Sequence, residues 1–363
     1  MKYPKIAIIA DALDNQKAGV HVYLRGLLDA LYQIAQDKHI LLIREKQADD
    51  YPGWKQIALP PSRHLMGRAK RIFIDLPTTI GSWGANIVFE PAHFGPFRLA
   101  PHIRRVTFIH DLTPLLFPQY HPLHSALLQK WFLPGIVRKA DLLLCNSQHT
   151  KKDIQKHWPS VGSKTKIIYP GLDPFWRIPA QKESSGTPFI LAVGTLEPRK
   201  NLGVLIQAFE KLKAKGWPGK LVLTGAQGWK KKMWSKYLDR SPVKKDITQT
   251  GYVSREELRG LYSQCALFVY PSKYEGFGLP IIEALAAGAQ VICSSSSSLP
   301  EAGGNCARYF NPERVQDLYI QLKESLEKEH ICSDAALGKH LEQFDWNRSA
   351  EKFLTLMQNL SDQ

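Results

Sequence analysis

Two glutamates, Glu275 and Glu283, stand with seven residues between them in YPSKYEGFGLPIIEALAAG (residues 270–288), and Gly-Phe-Gly and a proline occupy the gap. Eight positions apart, they are not an i,i+4 pair on one helical face. ALFVYPS (266–272) reads as a buried strand, SKYEGFG as the loop leaving its carboxyl end, and Pro280 as the first residue of a helix, where proline is tolerated. The amides of Gly276, Phe277, Gly278 and Leu279 then lie at a helix N-terminus. Glycines allow close backbone approach there, and the helix dipole favours an anion. Glu275 precedes this point and Glu283 follows it by about one turn, so each carboxylate can accept hydrogen bonds from hydroxyls on either side of a bound phosphate. A phosphate between two hydroxyl-bearing groups is a nucleotide sugar. The plainer reading is a loop-helix junction with a solvated glutamate, and the set of Glu, Gly, Phe, Gly and Pro at defined offsets weighs against it.

Two further stretches carry chemistry. In VGTLEPRKN (193–201) a strand ends at Gly194, a short loop follows, and a helix begins near Asn201. Arg199 and Lys200 therefore project two positive charges beyond a strand's carboxyl end. A diphosphate leaving group needs such a pair, because charge builds on it as its bond breaks. In FIHDLTPLLFPQYH (108–121) a strand ends at His110 and Asp111. A lone histidine in such a place is more often structural than catalytic. Gly19, in the first loop DALDNQKAGVHVY, is expected at a helix N-terminus near the phosphates.

EGFGLPIIE resembles the two-glutamate motif of glycosyltransferase family 4, the retaining enzymes of the two-domain GT-B fold. The resemblance implies that Glu275 binds hydroxyls of the donor sugar and Glu283 the ribose. It implies that Arg199 and Lys200 grip the donor diphosphate. HDLTP is similar to the form found in mannosyltransferase-like members, where the histidine lies beside the anomeric centre. His110 is accordingly assigned to the catalytic site with Asp111 supporting it. GYVSREEL (251–258) stands where the family packs the nucleobase, around Tyr252 and Val253. His93, in EPAHFGPFR (90–98), is placed on the acceptor side. FDWNRSAEKFL (344–354) resembles the closing segment whose last helix crosses back onto the first domain. The implied reaction moves a hexose from a nucleotide diphosphate sugar, first of all mannose from GDP-mannose, to a lipid-linked or polysaccharide acceptor. No Asp-x-Asp pair occurs anywhere in the chain, so no metal and no other cofactor is expected: basic side chains and helix amides must serve the diphosphate.

The elements around these residues read as α/β. Apolar runs KIAIIA (5–10), HILLI (39–43), ANIVFE (85–90), RVTFIH (105–110), DLLLCN (141–146) and KIIYP (166–170) alternate with helical stretches such as 19–35, the pattern of a parallel sheet covered on both faces. Residues 171–188, rich in Pro, Gly and Ser, read as a linker. The alternation then restarts with strands FILAVG (189–194), KLVLTG (220–225), ALFVYPS and AQVICSS (289–295). The expectation is two Rossmann-like domains, 1–175 on the acceptor side and 176–345 on the nucleotide-sugar side, with 346–363 as a helix returning to the first. Their facing edges would form the cleft. SSSSS (294–298) reads only as a loop.

Length and charge agree with that organisation. The 363 residues suit two domains, and no apolar run approaches the ~18 residues that span a bilayer. Residues 1–180 hold 24 Lys and Arg against 13 Asp and Glu, a net +11, and the remainder 24 against 20, a net +4. A basic first half favours anionic partners, and a peripheral contact with anionic lipid on the inner face of the membrane is the expectation for a cytoplasmic enzyme with a lipid-linked acceptor. The five cysteines, odd in number and without C-x-x-C, read as reduced thiols. An epimerase or sugar phosphorylase of similar fold is the alternative. A nucleic-acid-binding protein is disfavoured, because the aromatics are not interleaved with the basic runs. A dinucleotide oxidoreductase is disfavoured because no G-x-G-x-x-G follows the first strand.

Overall fold

In each half, short runs of β-branched and apolar residues between polar or glycine-containing breaks form strands buried on both faces, as a parallel sheet requires. The computed structural model describes residues 4–14, 19–35, 39–60, 64–92, 97–177, 186–328 and 332–363. The first sheet contains β1 (Ile6–Ile9), β2 (Ile40–Arg44), β3 (Lys55–Ala58), β4 (Ile87–Glu90), β5 (Arg104–Ile109), β6 (Leu142–Cys145) and β7 (Thr165–Ile167), in the order β3-β2-β1-β4-β5-β6-β7. The second contains β8 (Phe189–Val193), β9 (Lys220–Thr224), β10 (Ile247–Gly251), β11 (Leu267–Tyr270), β12 (Val291–Ser294) and β13 (Ala307–Phe310), in the order β10-β9-β8-β11-β12-β13. Every strand pair is parallel. Both sheets follow the doubly wound order, so the two-Rossmann expectation holds.

Three strands escaped sequence reading. All are edge strands: β3 and β10 are largely solvated, and β13 is only four residues long. An edge strand needs no continuous apolar run, so the pattern that reveals central strands is missing.

Two compact units result. One comprises Met1–Leu112, Leu128–Gly171 and Phe344–Gln363; the other comprises Thr113–Leu127 and Leu172–Gln343. In the first, alternate residues of each strand serve opposite faces. Ile8, Leu42, Phe89 and Phe108 pack with Leu24, Leu27 and Leu28 of the helix Gly19–Ile34, while Ala7, Ile9, Leu41 and Val88 pack with Leu76 and Ile80. The last helix, Trp346–Ser361, joins the first of these clusters through Phe353, Met357 and Leu360. Asp345 caps it, accepting from the Asn347 and Arg348 amides at 2.6 and 3.2 Å. Trp346 fits only because two neighbours lack a side chain: a Cβ on Gly26 would come within 2.2 Å of its ring, and one on Gly171 within 2.4 Å.

Two sequence expectations need correction. The stretch that begins the supposed linker is packed structure of the second unit. Pro174–Arg177 forms a 3-10 turn with Trp176 buried against Tyr262, and Arg259 covers the Phe175 ring at 4.3 Å. Pro and Gly mark a turn, but the aromatics between them bury it. The cysteines are not all thiols: Cys306 and Cys332 form a disulfide with Cα atoms 4.9 Å apart, while Cys145, Cys265 and Cys293 form no disulfide. A pair separated by 26 residues shows in neither count nor spacing.

Candidate active site

The order of the second sheet reverses between β8 and β11, and in open α/β sheets ligands bind outside the carboxyl ends of the strands at such a switch point. The loop leaving β8 is GTLEPRKN and the loop leaving β11 is PSKYEGFG, so topology brings together two motifs some seventy residues apart. After β8, Pro198–Lys200 makes a 3-10 turn that Asn201 ends at φ +56°, opening the helix Leu202–Ala214. Gly194 holds φ +136°, and a Cβ there would lie 3.1 Å from Lys200 Cε. Its missing side chain is the space through which Lys200 passes.

The basic pair and the first glutamate, given separate roles by sequence, form one buried cluster. Lys200 Nζ lies 2.6 Å from Glu275 Oε1 and donates to the Tyr270 hydroxyl at 2.6 Å. Arg199 Nη1 lies 2.5 Å from Glu275 Oε2 and donates to the Tyr274 carbonyl at 2.8 Å. Tyr270 donates to Glu275 Oε1 at 3.2 Å. Burial pushes the Glu275 carboxyl up, but Arg199 and Lys200 outweigh it and hold the group down at about 2. Burial pulls Lys200 below the usual lysine range, against the carboxylate's opposing pull. Glu275 is thus a permanent anion between two cations. Dry walls make these charges act more strongly than at a solvated surface, and a further anion brought here meets cations already in position.

The helix Leu279–Ala286 begins one residue before Pro280, with Gly278 capping it at φ +113°. A Cβ at Gly278 would meet Leu299 Cδ2 at 2.9 Å, so both conformation and space demand glycine. Gly276 and Phe277 lead into this turn. Glu283 lies in the helix's second turn, half-buried, and accepts from Tyr262 Oη at 3.2 Å. Burial raises its carboxyl to about 7, against the Tyr262 bond and the nearby Arg255 charge. The two glutamates therefore differ in kind: one is anionic at any ordinary pH, the other titrates near neutrality.

His110 ends β5 in the first unit. Its Nε2 donates to the Pro91 carbonyl at 2.7 Å, which makes Nε2 the protonated nitrogen. Its ring meets Tyr23 edge-on with centroids 5.5 Å apart. Asp111 follows, half-buried. Gly19 is the first residue of the helix Gly19–Ile34. Tyr252, 81% exposed, and Val253 follow β10 in the second unit, ahead of a helix that Ser254 and Glu257 cap reciprocally. His93 lies outside the described residues.

Two family models cover most of the chain: "Glycosyltransferase Family 4" over residues 9–175 and "Glycosyl transferases group 1" over residues 175–339. O-antigen chain mannosyltransferase B of Escherichia coli is 30% identical over 73% of this chain and 73% of its own length. This chain belongs to glycosyltransferase family 4. The glycosyltransferase also matches the serotype-specific mannosyltransferase WbdA of Escherichia coli, at 28% identity over 70% of the chain but only 34% of that relative. Its fold matches sucrose-phosphate synthase from Thermosynechococcus elongatus with a TM-score of 0.74, at 20% identity over 98% of both chains. Anabaena HepE in complex with UDP and glucose matches with a TM-score of 0.73, at 16% identity over 98% of this chain and 100% of that one. The fold is therefore GT-B. Among the described residues no helix is long and apolar enough to cross a membrane.

Sequence reasoning passed over three parts of this glycosyltransferase's site. Glu197, 1% exposed, accepts from Arg199 Nε and Nη2 at 3.0 and 2.7 Å and so aims the guanidinium. The serine run, read only as a loop, braces EGFG. Ser298 Oγ donates to the Glu275 and Phe277 carbonyls at 2.8 and 2.9 Å, Ser297 Oγ accepts from the Glu275 amide at 2.9 Å, and Ser296 Oγ donates to the Lys273 carbonyl at 2.9 Å. Tyr262 and Tyr270 supply the hydroxyls on the two glutamates. A buried glutamate two residues before an arginine was the one available signal; the serines and tyrosines carried none.

Proposed function

We propose that this glycosyltransferase moves mannose from GDP-mannose to a lipid-linked or glycan acceptor of the O-antigen kind, with retention at the anomeric carbon and without a metal. The observation that carries the reading is the buried Arg199–Lys200–Glu275 cluster at the switch point, beside the Gly278-capped helix. Support for mannose comes from the mannosyltransferase relatives and from HDLTP and EPRKN.

In this reading the diphosphate lies on Arg199, Lys200 and the amides of Gly276 to Leu279, and Gly19 also serves it. The sugar hydroxyls lie on Glu275, the ribose on Glu283 and the base near Tyr252 and Val253. The bond between the anomeric carbon and the diphosphate oxygen breaks, and its electron pair leaves with GDP. The acceptor hydroxyl forms the new bond to the same carbon, and its proton goes to the departing phosphate. The cations stabilise the charge as it develops, without moving. His110 lies by the anomeric centre with Asp111 supporting it, and His93 lies on the acceptor side. The net +11 of residues 1–180 would face anionic lipid at the membrane's inner face.

The test combines thermal shift with turnover. GDP should raise the melting temperature more than UDP or ADP, because a ligand bound only by the native state stabilises it. Lys200→Ala and Glu283→Ala should abolish that shift, and Lys200→Ala should lower kcat/KM for GDP-mannose roughly 10²–10³-fold. Activity should survive EDTA. If no nucleoside diphosphate shifts the melting temperature, the reading fails.

A further inference from the structure

The first sheet has its own reversal of order, between β1 and β4, and the rule that places ligands beyond strand ends at such a point applies to it as well. The loop leaving β1 there carries two aspartates, each paired with an arginine, and the two pairs differ. Asp14 is closed. It accepts from Arg44 Nε and Nη2 at 3.1 and 2.6 Å and from the Glu45 and Lys46 amides at 2.9 and 3.0 Å, with its side chain only 4% exposed. Asp11 is more open. Its oxygens accept from Arg71 Nη2 and Nη1 at 2.7 and 2.9 Å, yet 25% of its side chain reaches solvent. Arg71 is itself buried, and its Nε donates to the Leu59 carbonyl at 2.8 Å. It opens a π-helical turn, Arg71–Asp75, between two α-helical stretches, a form that recurs at functional sites.

The loop is already fastened without Asp11: Asp14 holds one end, the Ala10 amide donates to the Ile43 carbonyl at 2.7 Å, and His21 Nδ1 lies 3.0 Å from the Ala12 carbonyl. A buried ion pair adds little net stability over apolar side chains of equal size. What Arg71 achieves is to hold a carboxylate still at the carboxyl edge of the sheet. An anion brought there would meet the charges of Glu45 and Asp14, which already act on Asp11. A metal ion would need more ligands, and among the described residues no three His, Cys, Asp or Glu are grouped to hold one. A neutral polyol fits. Each carboxylate oxygen can accept more than one hydrogen bond, so two adjacent hydroxyls of a sugar can donate to Asp11 in charge-assisted bonds. Within the same sheet β5, which leads to His110, is two strands from β1, roughly 10 Å away, a span that a disaccharide covers.

We propose that Asp11, aimed by Arg71, binds the acceptor sugar through two adjacent hydroxyls. Its place in a transfer rests on the function proposed above; the sugar site itself does not. The test is saturation-transfer difference NMR on the full chain without donor, using methyl α-mannoside, methyl β-N-acetylglucosaminide and methyl α-galactoside. At least one should take up saturation from wild type. Asp11→Asn keeps an oxygen for Arg71 but loses the charge, and should weaken that glycoside roughly ten- to a hundredfold, the loss expected for hydrogen bonds to a charged group. Asp11→Leu with Arg71→Met removes both charges together, so that neither is left buried alone. This pair should fold, keep the wild-type GDP shift and give no glycoside signal. Failure of wild type to saturate any of the three glycosides overturns the proposal. So does an undiminished signal in either variant, or a pair variant that unfolds, which would make the ion pair structural. A glycoside signal lost in the variants, with no nucleotide shift in wild type, would keep the sugar site and remove the transferase reading. A GDP shift with glycoside binding indifferent to Asp11 would do the reverse.

Discussion

The two glutamates show how one residue type takes opposite characters from its surroundings. Glu275 lies between Arg199 and Lys200 and stays ionised; Glu283 accepts from a tyrosine hydroxyl at 3.2 Å and is pushed up to about 7 by burial, which outweighs the pull of that bond and of Arg255. The folded value of Glu283 thus exceeds that of the unfolded chain, about 4.3. Between these two values the native state binds more protons than the unfolded one, so this group makes stability fall as pH rises from about 4.3 to 7. Glu283→Gln should flatten that part of the profile, leaving the variant at least as stable as wild type at pH 7, where wild type buries a partly charged group. Melting temperatures from pH 4.5 to 7.5 for both proteins check this, each kcal/mol being about 2–4 °C for a unit of this size. A wild-type slope unchanged in Glu283→Gln would place the titration elsewhere.

At the scale of elements, the site is two loops held by a third. The loop after β8 supplies the cations, the loop after β11 supplies the anion and the helix N-terminus, and Ser296–Ser298 after β12 tie down the second of them. Ser298 is fully buried and donates to two carbonyls of the EGFG loop. Ser298→Ala leaves both acceptors with one donor fewer, a cost of about 1–3 kcal/mol. The expected outcome is a melting temperature lower by a few degrees, with a larger proportional rise in KM for the donor than fall in kcat, because the loop shapes binding before chemistry. Equal loss in both constants would mean that Ser298 acts on the transition state instead.

At the scale of the whole molecule, the first unit is assembled from three stretches of chain, the last being Phe344–Gln363. Its helix buries Ala350, Phe353, Met357 and Leu360 against the first helix and sheet. Each large side chain contributes about 1.5–3 kcal/mol on burial, and a domain's net stability is only about 5–15 kcal/mol. Deleting residues 344–363 should therefore unfold the first unit, seen as lost helical circular dichroism and new dye binding to exposed apolar surface. A truncated chain with the wild-type melting profile would show the helix to be dispensable. The first half's +11 has a related lesson. Arg44 sits between Asp14 and Asp50 at 2.6 and 2.5 Å, and Arg71 pairs with Asp11 at 2.7 Å, so part of the basic content is internal structure.

The sequence by itself determined the two-domain α/β class, the central strands, and the EGFGLPIIE and EPRKN motifs. These are local facts: continuous apolar runs, glycines at forced turns, and charges at fixed offsets from a strand end. It missed three of the four edge strands, β3, β10 and β13, since an edge strand needs no continuous apolar run, and the Cys306–Cys332 pairing, which depends on separation in space. It read SSSSS as a loop, and only the β11–β12 pairing set those hydroxyls under the glutamate loop. Tertiary structure also decided that Arg199, Lys200 and Glu275 form one cluster. Strands distant in sequence must pair before their loops can meet, and that pairing follows from the sheet's reversal of order between β8 and β11.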